Sequence, residues 1–235
     1  MRLNKFISET GACSRREADA WIAAGRVTVN GGPAALGTQV AEGDVVRVDG
    51  EVLATRRKDV YIACNKPPGI TCTTEREVAG NIAAFIGHRE RIFPIGRLDK
   101  DSEGLILLTN NGDIVNEILR VEHGHEKEYR VAVERPVTPT FLRMLAAGVR
   151  IGGVKTRPCV VTQTGPAEFH LVLTQGLNRQ IRRMCSALGY RVQRLQRVRI
   201  MHIELGALPI GRWRDLTPAE LAPLLAARAV RATAG

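Results

Sequence analysis

The sequence predicts an α+β protein in two parts, a small module over residues 1–58 and a larger domain over residues 59–235. Three features carry that prediction. Short helical segments stopped by glycine alternate with β-patterned segments that end in Asn-Gly or Asp-Gly. An unbroken apolar run, "LILLT" at residues 105–109, reads as a buried strand. A chain of 235 residues with 44% hydrophobic and 25% charged residues has the balance of an ordinary globular protein, with room for one large domain or a small one joined to a medium one.

Taken in order, Leu3, Phe6 and Ile7 put an apolar stripe on a first helix closed by Gly11. Ser14 with Glu17 forms a capping box, so a second helix is expected from Arg15 to Ala24, stopping at Gly25. Ala18, Trp21 and Ile22 give it an apolar face, and Arg15 and Arg16 point outward from its first turn. "RVTVNG" (residues 26–31) alternates as a strand and ends in a hairpin signal; "AEGDVVRVDG" (residues 41–50) repeats the pattern. The linker "EVLATRRKDV", with Arg56, Arg57 and Lys58, is expected to be solvent-exposed.

Val60 to Cys64 reads as a buried strand, stopped at Lys66-Pro67-Pro68-Gly69 because proline cannot donate to a ladder. The run at Leu105–Thr109 ends at Asn110-Asn111-Gly112, after which Asp113 is placed to cap a helix through Leu119. "YRVAV", from Tyr129, alternates as a strand. Ile181, Met184, Cys185 and Leu188 fall at i, i+3, i+4 and i+7, one face of a helix that Gly189 ends, with Arg179, Arg182 and Arg183 largely off that face. Thr217 caps a last helix beginning at Pro218.

Charge narrows the function classes. Lys and Arg number 34 against 24 Asp and Glu, a net of +10, of which residues 1–58 contribute +2 and the remainder +8. From Gln175 to Arg199 there are seven arginines and no acid. Guanidinium forks onto phosphate oxygens, so this run favours a polyanionic partner. With 4% aromatic residues a broad base-stacking platform is not expected, and folded, phosphate-rich nucleic acid fits better than an extended single strand. Within this basic chain Asp99 stands between Arg97 and Lys100 on a loop leading into the apolar strand. It is either a turn former or a carboxylate that reacts with the substrate the surrounding charge attracts.

No apolar run has the length of a membrane span, and "MRLNKFISETG" lacks a signal-peptide core, so the cytoplasm is the expected location. Cys13, Cys64, Cys72, Cys159 and Cys185 form no CxxC pair and read as reduced, structural thiols. His123 and His125 lack a third ligand at a recognisable spacing, so no metal is expected.

Two resemblances follow from these residues. The N-terminal module, two small helices, short strands and Arg15 and Arg16 on the second helix, resembles an S4 RNA-binding domain, in which that helix and the following hairpin present basic residues to structured RNA. "NKPPG", "GRLDKDSEGLILLT", "EKEY" and "GLNRQIRRM", spread through residues 60–220, are similar to the ordered motifs of the RsuA/RluB/RluF group of pseudouridine synthases. The wording is closest to the RluF branch, which acts on large-subunit (23S) ribosomal RNA. A long basic tail after the last helix is not expected.

The resemblance implies a catalytic domain built on a mixed, mostly antiparallel sheet flanked by helices. It implies isomerisation of a uridine in structured RNA: the C1'–N1 bond breaks, the uracil turns, and C5 joins C1'. Such a reaction demands neither redox cofactor nor metal. Asp99 is implied as the reacting carboxylate, by covalent attack or by abstracting a ribose proton. Arg182 is implied as its partner, since excluding water disfavours the charged carboxylate and a cation must oppose that. Tyr129 is implied to lie against the target base and help remove the C5 proton. Arg97 is placed to fill the vacancy a flipped base leaves. Lys66 either holds a phosphate or covers the loop. Ile181, Arg179, Arg183, Arg15 and Arg16 complete the expected RNA contacts, and Arg56, Arg57 and Lys58 are expected near the RNA path. A monomer is expected. Two alternatives stay open: a ribosome-binding or assembly factor that kept the fold without catalysis, and a small-subunit or transfer-RNA stem-loop as substrate.

Overall fold

The computed structural model describes residues 1–53, 58–119 and 124–232, so Arg56, Arg57 and His123 lie outside the described residues. The chain divides into two units: Met1–Val60 with His88–Ile92 and Asn110–Gly112, and Tyr61–Gly87 with Phe93–Thr109 and Asp113–Gly235.

The first unit opens with α1 (Leu3–Glu9) and α2 (Arg15–Ala23). The capping box is formed: Ser14 Oγ accepts from the Glu17 amide at 3.1 Å, and the Glu17 carboxylate accepts from the Ser14 amide at 2.7 Å. Strands β1 (Val27–Val29) and β2 (Gly32–Pro33) pair antiparallel across Asn30 and Gly31, whose φ angles of 52° and 82° fit the type I′ turn the Asn-Gly pair predicts. Strands β3 (Val46–Val48) and β4 (Glu51–Val52) repeat this across Asp49 and Gly50, and the sheet order is β2-β1-β3-β4. Leu3, Ile7, Ala18, Ile22, Val27 and Val46 form the core. Arg15 and Arg16 are left exposed, with no ion pair among the described residues.

The second unit contains β5 (Tyr61–Lys66), α3 (Ile82–Ile86), β6 (Phe93–Ile95), β7 (Glu103–Thr109), α4 (Gly112–Leu119, whose first residue belongs to the other unit), β8 (Lys127–Val133) and α5 (Pro139–Ala146). Then come β9 (Arg150–Ile151), β10 (Val154–Lys155), β11 (Val160–Gly165), β12 (Glu168–Leu173), α6 (Gln180–Ala187), β13 (Val192–Ile200), β14 (Ile203–Glu204), β15 (Trp213–Asp215) and α7 (Pro218–Ala232). Two expectations shift. β5 runs on to Lys66 and halts only where Pro67 removes the donor. Helix α4 begins at Gly112, so Asp113 lies in its first turn instead of capping it.

The main sheet has the order β11-β12-β8-β13-β7-β5-β15, with β14 on β13 and β6 on β7. Every pairing in it is antiparallel except β13 with β7, which matches Gln196 to Glu103 and Arg197 to Gly104. Gly104 has φ 105°, and a Cβ there would overlap the Arg197 carbonyl, so glycine is what permits the approach. All of β7 is buried, which is why its sequence reads as a continuous run. One core cluster holds Leu105, Leu107, Ile114, Ile200 and Leu224; another holds Val131, Phe169, Ile181, Met184 and Cys185. The five cysteines are unpaired, and burial pushes the Cys64 and Cys185 thiols up to about 12, well out of reach of a reactive thiolate.

At the start of α7, Thr217 Oγ1 accepts from the Glu220 amide at 3.2 Å, while both Glu220 oxygens accept from Arg214 at 2.7 Å. The Arg214 hydrogen bonds hold the Glu220 carboxyl down at about 2 against an ordinary 4.5. Its stabilising contribution is therefore complete above the ordinary value and lost as pH falls toward the folded one. Glu220→Gln should cost on the order of 1 kcal/mol at neutral pH, after allowance for solvent screening. In denaturant unfolding the gap between variant and parent should close as pH falls from 4.5 toward about 2.

Candidate active site

The loop between β6 and β7 carries Arg97, Asp99, Asp101 and Ser102. It borders a cavity of about 450 Å³ whose lining includes Arg97, Asp99, Lys127, Tyr129, Ile181 and Arg197. Each comes from a different constraint. Tyr129 is on β8, half-buried against the second core cluster, and opposite Arg197 of β13. Ile181 is buried on the apolar face of α6, as its spacing predicts, yet also reaches the cavity wall. Arg97 is exposed beside Asp99.

The two aspartates of the loop are in different states. Asp101 accepts from Arg179 through both oxygens at 2.9 Å, and Arg182 Nε lies 3.4 Å from it. Those Arg179 hydrogen bonds, with the charge of Arg182, hold its carboxyl below the ordinary range. Asp99 has a side chain 24% exposed and, among the described residues, one ion pair, with Arg179 Nη1 at 3.9 Å. Among the described residues its carboxylate accepts no hydrogen bond; only its backbone carbonyl does, from the Ser102 amide at 3.1 Å. A carboxylate with free oxygens facing a cavity can bond to carbon or take a proton, whereas one saturated by guanidinium cannot do so readily.

This arrangement corrects the expected pairing. The cation beside Asp99 is Arg179, not Arg182. Arg182, with a side chain only 13% exposed, donates to the Asp101 carbonyl at 3.1 Å, Ser102 Oγ at 3.2 Å and the Val192 carbonyl at 3.3 Å. It is tied to the loop and to the start of β13 before it could reach Asp99. Arg179 reaches both acids because it precedes α6 in the left-handed region, φ 48° and ψ 35°, a conformation costly for a residue with a side chain. Asp101 is thus the anchor for two arginines, and it holds Arg179 through both of its oxygens.

Of the two roles open to Lys66, the geometry fits covering the loop. It is fully buried, and its Nζ donates to the carbonyls of Pro67 at 2.9 Å, Ile70 at 2.8 Å and Lys100 at 3.4 Å. Burial pulls its pKa below the ordinary lysine value. It covers the loop and has no path to a phosphate. Arg183 is exposed, lies over Gly152 and stays outside the cavity lining. Arg197 and Lys127 line the cavity but went unremarked in the sequence. Their only signal was strand alternation with Tyr129, which marks Lys127 as sharing its face.

Comparison with known proteins gives the family of both parts of the chain. Residues 60–187 match the family model described as RNA pseudouridylate synthase, and residues 1–46 match the S4 domain. The chain is 56% identical to the dual-specificity RNA pseudouridine synthase RluF of Salmonella typhi, over 95% of this chain and 78% of that protein. It is 34% identical to the ribosomal large subunit pseudouridine synthase B of Bacillus subtilis, over 96% of each. A solved pseudouridylate synthase superposes with a TM-score of 0.70 at 30% identity, covering 95% of this chain and 99% of that one.

Replacing Lys66 with Met keeps its length and apolar stem but leaves the carbonyls of Pro67, Ile70 and Lys100 without their shared donor. The expected loss is about 1–3 kcal/mol of unfolding free energy, read from the urea midpoint. A Met variant as stable as the parent would return Lys66 to a role outside the loop.

Proposed function

Because the chain belongs to the RNA pseudouridylate synthase family, we propose that it isomerises a specific uridine of ribosomal RNA after that base has left its stack. The observation that carries this reading is Asp99, a carboxylate with unbonded oxygens on the wall of a cavity it shares with Tyr129. Asp99 meets the ribose, by bonding to C1' or by taking a ribose proton. Tyr129 lies along the base and assists removal of the C5 proton. Arg179 opposes the desolvation of Asp99, and Arg182 is a positioning residue that holds the loop through Asp101 and Ser102. Arg97, exposed beside Asp99, occupies the stack the base vacates.

Large-subunit RNA is the substrate favoured by the name of the Bacillus relative. The dual-specificity names of the 54–56% identical relatives favour a second RNA target, for which a small-subunit or transfer-RNA stem-loop fits the same chemistry. We assign residues 1–58 to RNA affinity and residues 59–235 to the bond exchange, in a monomer acting in the cytoplasm. Among the described residues no helix is long and apolar enough to cross a membrane.

Asp99→Asn keeps size and removes the charge, so pseudouridine formation should fall by roughly 10³-fold or more while RNA affinity holds. Mapping pseudouridine in ribosomal RNA treated with parent and variant reads the outcome, and a variant that still turned over would overturn the assignment.

Changing Arg15 and Arg16 together to Ala in the full chain should weaken RNA binding and lower its salt slope by roughly 0.7 to 0.9 for every phosphate that these arginines neutralise in the parent. Single-turnover rates at saturating RNA should change little. An unchanged slope would remove these arginines from the interface.

A further inference from the structure

Arg197 lines the cavity beside Tyr129 and is 3% exposed. Its Nε donates to the Leu105 carbonyl at 2.7 Å and its Nη1 to the Arg97 carbonyl at 3.5 Å. Its Nη2 is buried with no hydrogen-bond partner among the described residues, and none of its nitrogens meets a carboxylate there. Lys127, on the Tyr129 face of β8, lines the same cavity, and among the described residues its Nζ donates only to the His125 carbonyl, at 3.4 Å. Burial first, and then the charge of Arg197, pull the Lys127 pKa below its ordinary value, so the two cations sense each other. Their neighbours on β13 are treated differently: Arg194 pairs with Glu103 at 2.6 Å, and Arg199 with Glu126 and Glu128 at 3.0 Å.

A buried cation without a counter-ion is unfavourable unless an anion arrives in the working complex. The proposed reaction makes one at this place. When C1'–N1 breaks, the bonding pair stays on N1 and spreads onto O2 and O4 of the uracil. Asp99 meanwhile bonds to C1' or takes the C2' proton. The base then uses its electrons to form C1'–C5, any ribose proton returns, the C5 proton leaves, and N1 takes one up. Nothing is oxidised or reduced. We infer that Arg197, assisted by Lys127, stabilises the detached uracil anion and keeps it in the cavity while it turns. This rests on the pseudouridine synthase reading above.

The rival role for Arg197 is a structural bolt joining the carbonyls of Arg97 and Leu105. Substituting 5-fluorouridine for the target uridine separates the two, because fluorine withdraws charge and makes the base a better leaving anion. Single-turnover loss of the N-linked nucleoside would be measured for the parent, Arg197→Gln, Arg197→Lys and Lys127→Gln. Arg197→Gln should slow the uridine RNA by roughly 10²-fold and the fluorinated RNA by about tenfold less, with RNA affinity held. Arg197→Lys should keep most of the rate, and Lys127→Gln should show a smaller loss with the same dependence on fluorine. Equal losses on both RNAs would overturn the inference in favour of the bolt. Should Arg197→Gln fail to fold, Lys127→Gln decides by the same comparison. A parent chain that formed no pseudouridine from uridine RNA would overturn the functional reading, and this inference with it.

Discussion

Where β13 runs parallel to β7, Arg197 lies against Gly104 so closely that no side chain fits between them. The rest of the site hangs on that contact. The loop bearing Asp99 leads into β7, α6 leads into β13, and β8 pairs antiparallel with the other edge of β13. Fixing the register of Arg197 against Gly104 fixes Tyr129 opposite Arg197, and it sets the Asp99 loop across from the arginines of α6. A slip of one residue would send Tyr129 and Arg197 to the opposite face of the sheet.

The positive charge that marks this chain is spent unevenly once folded. The acid-free run from Gln175 to Arg199 looks like a basic surface, yet most of its arginines are claimed by acids from elsewhere in the chain. Asp101 takes Arg179 and Arg182, Glu103 takes Arg194, and Glu126 with Glu128 takes Arg199. Of that run's arginines only Arg183 and Arg191 are exposed and, among the described residues, without a carboxylate. A guanidinium held in this way positions elements instead of binding phosphate. Arg15, Arg16 and Arg97, by contrast, are exposed and without an ion pair among the described residues, which is why the proposed RNA contacts rest on them.

The fold was legible wherever a local rule decided it. Ser14 with Glu17, the Asn30-Gly31 turn, the apolar face of α6 and the start of α7 all depend on residues a few positions apart, and all form as the sequence predicts. The site was legible as motifs but not as pairings. Nothing in the spacing of Asp99, Asp101, Arg179 and Arg182 says which acid takes which arginine. That choice is made by the left-handed backbone of Arg179 and by the carbonyls that capture Arg182. Lys66 stayed open between two roles for a related reason: spacing does not show whether a lysine before two prolines turns outward or inward, and it is β5 that carries it inside, where three carbonyls close around it.

The division between Asp99 and Asp101 explains why the loop holds two acids where one would serve. A single carboxylate near Arg179 and Arg182 would be drawn into bidentate bonds, and its oxygens would lose the basicity and freedom that attack on C1' or removal of a ribose proton requires. Asp101 satisfies both arginines and fixes the loop, so Asp99 keeps a cation at 3.9 Å without being captured by it. That distance keeps a Coulombic attraction between the two groups while leaving the oxygens open. Arg197 and Lys127, which line the same cavity and meet no carboxylate among the described residues, are the cations that the inference above assigns to the charge the base acquires. The loop thus separates a carboxylate with open oxygens from its structural double, the arrangement that the proposed bond exchange needs.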